Sequence, residues 1–495
     1  MTSTEQHHPG RCSDHLPQLP TGLLIGGQWR ESTNDRFTVF DPGTGAALTD
    51  VADANIEDAA KAMDAAATAQ SEWAATAPRE RSQILRRAYD AVIASTEEFA
   101  RLITLEMGKS LTEARGEVAY GAEFLRWFSE EAVRIDGRYT IAPNGQSRLL
   151  VTRKPVGPCL MITPWNFPLA MATRKVAPAL AAGCTMIIKP SELTPLTTLR
   201  FAQVLQEAGV PDGVVNVLTT THAAEVAQHL ITDPRLRKVS FTGSTAVGRT
   251  LLAQASENVL RTSMELGGNA PFLVFEDADL DAAVQGAVAA KLRNIGEACT
   301  AANRFYVHES VEVEFTSRLA DEFTRQRIGH GTAPDTDLGP LINESARTKV
   351  EALVDDAIRR GATIVTGGTR KTGPGWFYEP TVLNNVPSEA DIMSHEIFGP
   401  VAPICTFRNE NQAIDYANNT QYGLIAYAYT RDAARMLRLP ERLETGMLGI
   451  NSGVISNPAA PFGGVKQSGL GREGGHEGMD EYLDTMYVGI ADPTC

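Results

Sequence analysis

The middle of the chain reads CLMIT (159–163), PLAMATRKVAPALAAG (168–183), TMIIK (185–189), PLTTLRFAQVLQEAG (195–209), VVNVL (214–218), HAAEVAQHLI (222–231), KVSFTG (238–243) and TAVGRTLLAQA (245–255). Short apolar runs therefore alternate with segments of helix length. This alternation is typical of βαβ units, in which successive strands lie parallel and helices cover the sheet. The pattern predicts a doubly wound α/β domain of the nucleotide-binding type.

A second α/β series begins at Phe272. Its strand-like and helix-like runs are FLVF (272–275), DLDAAVQGAVAAKLRN (279–294), RFYVH (304–308), VEALVDDAIRRG (350–361), ATIVTGG (362–368), LIAYAYT (424–430) and GMLGIN (446–451). The series predicts a second α/β domain. We expect the boundary near Asn269, with no linker longer than a turn.

The two ends of the chain follow other patterns. Turn-forming clusters such as Gly26-Gly27 separate short strand-like runs, which predicts hairpins after a mobile tail over residues 1–20. Between Ile56 and Arg134, apolar residues recur at helical spacing, which predicts a helical layer. DEYLDTMYVGIA (480–491) reads as a terminal strand, and such strands often pair with another subunit.

Composition excludes several classes of function. The chain has 495 residues, of which 43% are hydrophobic, and no apolar run approaches the length of a membrane span. Its formal net charge of −15 gives no overall positive field for nucleic acid. The six cysteines have neither metal-site spacing nor the density of a disulfide framework, and the amino end lacks an apolar targeting segment. We therefore expect a cytoplasmic protein without a metal, a nucleic-acid partner or a membrane partner.

Two chemically informative residues lie near the predicted boundary. Glu265 stands beside paired glycines in MELGGN (264–269), and Cys299 follows 34 residues later in GEAC (296–299). A carboxylate and a thiol are a base and a nucleophile. Each also has an ordinary explanation, because most free cysteines are small buried hydrophobic residues and most glutamates are surface charges.

Further motifs accompany this pair along the chain. They are TPWNFP (163–168), IKPSE (188–192), FTGS (241–244), EIFGP (396–400) and PFGGVKQSG (461–469). Together, and in this order, they resemble the aldehyde dehydrogenase superfamily from about Leu24 to the carboxyl end. The resemblance implies an aldehyde dehydrogenase-like fold with a nucleotide-binding parallel-sheet domain, an α/β catalytic domain and a β oligomerisation arm.

The resemblance also implies a mechanism and its catalytic residues. Cys299 matches the nucleophile that adds to the aldehyde, and Asn166 with the Cys299 N–H matches the oxyanion donors. Glu265 matches the base that activates water to hydrolyse the resulting thioester. The ordinary explanation of Asn166 is an Asx-turn or a helix cap ahead of Pro168, which is compatible with the oxyanion role. For Glu265 the alternative is a buried salt-bridge partner.

Glu297 departs from the family pattern, in which many relatives carry Gln at this position. A carboxylate two residues before Cys299 would raise the pKa of the thiol if its side chain pointed inward. We expect it to point away from Cys299.

The cofactor assignment rests on the resemblance, because the chain has no GxGxxG fingerprint. Positions that match cofactor contacts in the family are Thr163, Pro164, Trp165, Lys189, Ser191, Glu192, Phe241, Gly243, Ser244, Leu266, Glu396 and Phe398. Glu192 favours NAD over NADP, since a carboxylate accepts from a ribose 2′-OH and repels a 2′-phosphate. NADP stays an alternative, with Lys189 or Ser191 receiving the phosphate.

Three positions are similar to the substrate site of the succinate-semialdehyde dehydrogenase subfamily. They are Arg174, eight residues after Asn166; Arg293, on the predicted helix that leads to Cys299; and Ser456. Two guanidinium groups near the thiol would bind a distal carboxylate. The pattern favours a short ω-carboxy aldehyde, with succinic semialdehyde first and glutaric semialdehyde or a broader aldehyde range as alternatives. Surface ion pairs are the ordinary explanation of both arginines.

The resemblance further implies a homodimer or homotetramer and a division of the chain. We expect a dinucleotide-binding domain over 21–140 and 160–269, a catalytic domain over 270–470, and an oligomerisation arm over 141–159 and 471–495. Two functions of another class stay open. One is a non-catalytic binding or structural protein with this fold. The other is a thiol esterase that needs no cofactor.

Overall fold

The computed structural model describes Leu16 and residues 19–491 of the chain. Most of the tail predicted over 1–20, together with Cys12 and Cys495, lies outside the described residues.

Two hairpins open the described chain, as the turn clusters predicted. Their strands are β1 (Leu23–Ile25), β2 (Gln28–Arg30), β3 (Arg36–Phe40) and β4 (Ala47–Ala52), paired antiparallel in order. The β1–β2 turn consists of Gly26 and Gly27, with φ of 59° and 80°. Both residues are left-handed, a conformation that glycine adopts without the penalty of a Cβ atom.

Four helices follow and confirm the predicted helical layer. They are α1 (Ile56–Ala75), α2 (Pro78–Ala94), α3 (Thr96–Met107) and α4 (Leu111–Glu131). Asn55 and Asp58 form a capping box at the start of α1. Strands β5 (Arg138–Ile141) and β6 (Ser147–Pro155) then form an antiparallel pair.

The quoted middle stretch folds as predicted into alternating strands and helices. These elements are β7 (Cys159–Ile162), α5 (Pro168–Ala182), β8 (Met186–Lys189), α6 (Pro195–Glu207), β9 (Val215–Val217), α7 (Ala223–Thr232), β10 (Lys238–Thr242), α8 (Thr245–Ala255) and β11 (Arg261–Glu265). The five strands pair in parallel in the order β11-β10-β7-β8-β9. Antiparallel β1 and β2 extend the sheet beyond β9.

Continuous apolar runs suit this sheet because helices cover both of its faces. In β7, Cys159 and Met161 pack into the core on one face, while Leu160 and Ile162 pack into the core on the other. Strands buried on both faces lose the alternation of polar and apolar residues.

The second series forms a separate seven-stranded sheet. Its elements are β12 (Ala270–Val274), α9 (Leu280–Leu292), β13 (Ala302–His308), α10 (Glu312–Thr324), α11 (Glu344–Arg359), β14 (Thr363–Thr366), β15 (Thr381–Asn384), α12 (Asp391–Ser394), β16 (Val401–Phe407), α13 (Glu410–Asn418), β17 (Ile425–Tyr429), α14 (Ala433–Arg442) and β18 (Met447–Ile450). The strand order is β14-β15-β16-β13-β12-β17-β18, and only β14 pairs antiparallel.

The last three elements return to the earlier parts of the molecule. They are β19 (Gly469–Leu470), α15 (Glu477–Asp480) and β20 (Leu483–Ala491). β19 pairs antiparallel with β11 and completes the first sheet. β20 pairs antiparallel with β6 along its whole length, so the terminal strand has a partner within its own chain. Among the described residues, none of the helices has the length and apolar character needed to cross a membrane.

Candidate active site

A cavity of about 360 Å³ opens where β7, β10 and β11 end, against residues of the second series. Ligands of open parallel sheets bind at the carboxyl ends of the strands. The predicted catalytic and substrate residues line this cavity together with seven of the predicted cofactor residues. The lining residues are Pro164, Trp165, Asn166, Arg174, Gly243, Ser244, Glu265, Leu266, Arg293, Cys299, Glu396, Phe398 and Ser456.

The other predicted cofactor residues lie along the same sheet edge, outside the cavity wall. Thr163 follows β7, and its N–H donates to the Lys189 carbonyl at the end of β8 (3.1 Å). Lys189 Nζ lies 3.5 Å from Glu192 Oε2, and burial lowers the pKa of this lysine. Ser191 lies between these two residues, and Phe241 lies within β10.

The nucleophile candidate follows an unusual turn. The sequence pattern predicted Arg293 on the helix that leads to Cys299, and this prediction is wrong. Helix α9 ends at Leu292, and Arg293 is the first residue of a short 3-10 segment. In this segment Asn294 and Ile295 have φ of 55° and 61°, a left-handed backbone conformation that residues other than glycine rarely adopt. The chain leaves this turn toward Cys299, which lines the cavity.

Four charged residues act on the Cys299 thiol. Burial, together with the charges of Glu396 and Glu265, raises its pKa to about 12, although the guanidinium groups of Arg174 and Arg293 lower it. The thiol is therefore protonated at neutral pH in the free protein. The two arginines are the groups that favour its thiolate form.

The Asn166 side chain is fixed beside the nucleophile turn. Its Nδ2 donates to the Glu297 carbonyl (2.9 Å), and its buried Oδ1 has no hydrogen-bond partner among the described residues. Helix α5 is capped at Phe167 without a side-chain hydrogen bond, so the helix-cap interpretation of Asn166 is wrong. The carboxyl of Glu297 accepts from the Ile342 N–H through Oε1 (3.1 Å).

Glu265 is the last residue of β11 and is 3% exposed. Its Oε2 has no hydrogen-bond partner in the described part of the chain. Burial and the charge of Glu473 raise its pKa well above the usual range, while Arg174 and Lys175 lower it. A buried carboxyl at a cavity wall, with one oxygen that has no partner among the described residues, can hold a proton and exchange it with a bound water.

Arg174 lies on α5 and is 1% exposed, so the surface ion-pair interpretation is wrong for this residue. Its Nε lies 2.5 Å from Glu473 Oε2, and its guanidinium packs 4.0 Å from the centre of the Phe462 ring. Arg293 packs over the Phe167 ring at 5.3 Å and donates from Nη2 to Thr300 Oγ1 (3.2 Å).

Several residues at the site were not predicted. Phe167 and Phe462 stand within motifs quoted above, where an aromatic next to a site residue was the available signal. Tyr120 and Lys349 reach the cavity from α4 and α11, and no local pattern distinguishes them. Glu473 is 298 residues from its partner Lys175, so only the folded chain reveals it.

On the side of the cavity where the predicted cofactor residues lie, the buried carboxyl of Glu396 faces the glycine backbone of Gly267 and Gly268. Glu396 Oε1 accepts from the Gly268 N–H (3.1 Å), and burial raises the Glu396 pKa to about 7. A Cβ atom at Gly267 would lie only 3.0 Å from Glu396 Oε2, so a bare backbone keeps this space open. The Phe398 ring lies 5.4 Å from the Trp165 ring, edge to face.

Ser244 begins α8, where its Oγ accepts from the Val247 N–H (3.4 Å). A helix start at a strand end favours anions such as a pyrophosphate. Within the described chain, no cluster of three or more His, Cys, Asp or Glu side chains has an arrangement that could hold a metal ion.

Known proteins match this chain over most of its length. A succinate-semialdehyde dehydrogenase of Paenarthrobacter nicotinovorans is 63% identical over 446 residues, which is 90% of this chain and 99% of that relative. The NADP(+) succinate-semialdehyde dehydrogenase GabD of Escherichia coli (strain K12) is 46% identical over 468 residues, covering 94% and 97% of the two chains. The crystal structure of succinate-semialdehyde dehydrogenase from Burkholderia pseudomallei superposes with a TM-score of 0.94 at 48% identity, covering 96% and 98%.

The superposition confirms the predicted fold class. The model of the aldehyde dehydrogenase family matches residues 29–488, and enzymes of this family use NAD or NADP with aldehyde substrates. The chain is therefore an oxidoreductase that belongs to the aldehyde dehydrogenase family.

Proposed function

We propose that this enzyme oxidises succinic semialdehyde to succinate, with NAD as the favoured hydride acceptor. The observation that carries the substrate is the presence of Arg174, Arg293 and Ser456 on the same cavity wall as Cys299. Guanidinium groups bind carboxylates through paired hydrogen bonds, and the distal carboxylate of the substrate supplies that partner. The relatives named succinate-semialdehyde dehydrogenase support this choice.

The local charge also favours an anionic substrate. Glu473 lies 2.5 Å from both Arg174 Nε and Lys175 Nζ, so one carboxylate serves two buried cations. Glu265 is the other buried carboxyl that these two cations influence, and burial raises its pKa well above the usual range. A bound carboxylate would complete the neutralisation inside a chain whose overall charge is −15.

The first chemical step uses Cys299 and Asn166. The Cys299 thiol loses its proton to solvent, and addition of the resulting thiolate to the aldehyde carbon makes a C–S bond and moves an electron pair to the carbonyl oxygen. The Asn166 amide has a second N–H besides the one it donates to Glu297, and this N–H with the Cys299 N–H stabilises the oxyanion. Loss of hydride from this tetrahedral adduct leaves a thioester on Cys299.

The residues that would hold the dinucleotide lie along the sheet edge described above. Lys189, Ser191 and Glu192 would contact the adenosine ribose, Ser244 the pyrophosphate, and Glu396 with Phe398 the nicotinamide end. Thr163, Pro164, Trp165, Phe241, Gly243 and Leu266 complete this surface. When bound, the cofactor supplies the acceptor for the hydride. The bare backbone at Gly267 and the helix start at Ser244 support the fit.

Glu265 carries the second step. In its deprotonated form it takes a proton from a water molecule while the water oxygen attacks the thioester carbon. The C–S bond breaks, the product leaves as succinate, and the leaving sulfur takes the proton that Glu265 received from water, which returns Glu265 to its deprotonated form. The orphaned Oε2 atom supports this role, since an unpaired acceptor is available to the water.

Glu192 supports NAD over NADP. The Glu192 side chain is 44% exposed at the sheet edge, and its carboxylate forms an ion pair with Lys189 Nζ at 3.5 Å. A 2′-phosphate would meet this carboxylate and would compete with it for the lysine.

We also propose the predicted division into domains and assembly as a homodimer or homotetramer. The sheet of β5, β6 and β20 exposes large apolar side chains, namely Tyr139, Ile141, Tyr487 and Ile490. Such a surface is typical of an interface between subunits. Light scattering of the purified protein tests the assembly. A cytoplasmic location stays a prediction.

The test of function is absorbance at 340 nm with NAD or NADP and succinic semialdehyde, glutaric semialdehyde, propanal or betaine aldehyde. We expect the highest kcat/KM with succinic semialdehyde and NAD. Higher values with glutaric semialdehyde would change the substrate to the longer homologue. Reaction only with neutral or cationic aldehydes would overturn the anion site. No reduced cofactor with any pair would favour the non-catalytic function, and ester hydrolysis alone would favour the esterase.

A further inference from the structure

A buried ion pair lies behind the corner formed by Asn166 and Phe167. Lys109 follows helix α3, Glu117 lies on α4, and Lys109 Nζ donates to Glu117 Oε2. Both side chains are 1% exposed. Neither residue lines the cavity, and the chemistry proposed above does not use them.

The pair holds the corner from both sides. Lys109 Nζ donates to the Asn166 carbonyl (2.9 Å) and lies 4.1 Å from the centre of the Phe167 ring. Glu117 Oε1 accepts from the N–H groups of Leu169 (2.9 Å) and Ala170 (3.3 Å) at the start of α5. The main chain from the Asn166 carbonyl to Ala170 is therefore held by Lys109 and by Glu117 of α4.

Helix α4 also holds the turn that carries the nucleophile. Glu113 Oε1 accepts from the Asn294 N–H (2.7 Å). Asn294 Nδ2 in turn donates to the Asn166 carbonyl (3.1 Å) and to the Glu297 carbonyl (2.8 Å). One helix thus sets the distance between the oxyanion donor and the turn before Cys299.

A buried ion pair is a weak source of stability, because desolvation of two charges offsets their attraction. A pair of apolar residues would fill the same space at less cost. Unlike apolar residues, the charged pair makes directional hydrogen bonds, because an ammonium group donates to several acceptors and a carboxylate accepts from several donors at fixed positions.

We propose that Lys109 and Glu117 are positioning residues for the oxyanion donor, which hold the Asn166 main chain so that its side-chain amide faces the reacting carbonyl. This inference rests on the role proposed for Asn166.

The test is the variant K109M, with E117Q as a second variant that keeps side-chain shape. We expect the single-turnover rate of NADH formation to fall about 10- to 100-fold, as displacement of a preorganised donor does. Hydrolysis of 4-nitrophenyl acetate without cofactor should fall by a similar factor. The KM for the aldehyde and the rate of Cys299 alkylation by iodoacetamide should stay near wild type.

K238M is the matched control. Lys238 is equally buried and pairs with Glu481 at 3.3 Å, but it lies at the first residue of β10, the opposite end from the cavity. We expect K238M to lose stability and keep the wild-type single-turnover rate. Equal rates in K109M and K238M would overturn the proposal.

A double variant separates positioning from a general structural effect. If Lys109 acts through Asn166, N166A/K109M should be no slower than N166A alone. Rates that fall by the product of the two single effects would overturn the proposal. Should wild type oxidise only uncharged aldehydes, the proposed substrate would fail, and the same comparison would then be made with propanal.

Discussion

Glu473 Oε2 lies 2.5 Å from Arg174 Nε, and both side chains are buried beside the cavity. The contact joins the segment after β19 to helix α5. Glu473 also pairs with Lys175, and its negative charge raises the pKa of Glu265. A single carboxylate therefore contacts the Arg174 guanidinium and influences the pKa of Glu265. In the proposed mechanism, substrate binding by Arg174 and the pH dependence of hydrolysis by Glu265 therefore both depend on Glu473.

Replacement of Arg174 tests the anion site. We expect R174Q to raise the KM for succinic semialdehyde about 10- to 100-fold, the effect of losing a hydrogen-bonded charge partner, and to change the KM for propanal less than threefold. R200Q is the control. Arg200 Nε lies 2.8 Å from Glu98 Oε1, and neither residue lines the cavity. Equal changes for the two aldehydes would contradict a carboxylate contact.

Replacement of Glu473 tests the coupling to Glu265. The negative charge of Glu473 raises the Glu265 pKa, so E473Q removes that influence and leaves Arg174 and Lys175, which both lower it. Glu265 must be deprotonated to act as a base. We therefore expect the rise of kcat with pH to move to lower pH in E473Q, measured with saturating aldehyde from pH 5 to 10. A shift to higher pH, or a profile like that of the control E481Q, would contradict the coupling.

The fold was largely readable because its strands are local apolar runs. Each apolar run between Cys159 and Ala255 forms either a strand of the first sheet or a helix that connects two of its strands. Strands β15 and β16 were not singled out. β16 pairs in parallel with β13 across 99 residues of sequence, from Phe305 to Ile404, and β15 joins the sheet through β16. No turn signal marks the pairing of β16 with β13.

The site was readable only where a motif held the chemistry. Cys299, Glu265 and Asn166 stand in quoted motifs and meet at one cavity. Lys109, Glu117 and Glu473 lie on helices and loops where a charged residue ordinarily faces solvent. Their burial is decided by contacts between distant segments, which spacing along the chain does not encode.

Replacement of Glu192 tests the choice of dinucleotide. We expect E192Q to lower the ratio of kcat/KM with NAD to that with NADP about tenfold, because the charged acceptor for the 2′-OH and the repulsion of a 2′-phosphate are both lost. E207Q is the control, since Glu207 is also exposed and pairs with Arg200 at 3.6 Å. An unchanged ratio would mean that Glu192 does not contact the ribose.

Replacement of Glu265 by glutamine separates the two chemical steps. The amide keeps the shape of the side chain but takes no proton from water, so the thioester forms and then persists. We expect E265Q to release about one equivalent of NADH per active site in a burst, followed by a steady rate about 10²- to 10⁴-fold below wild type. Mass spectrometry of the acid-quenched enzyme should find the succinyl group on Cys299. C299A should give neither the burst nor the adduct while still binding the dinucleotide. A wild-type steady rate in E265Q at neutral pH would show that another group activates the water.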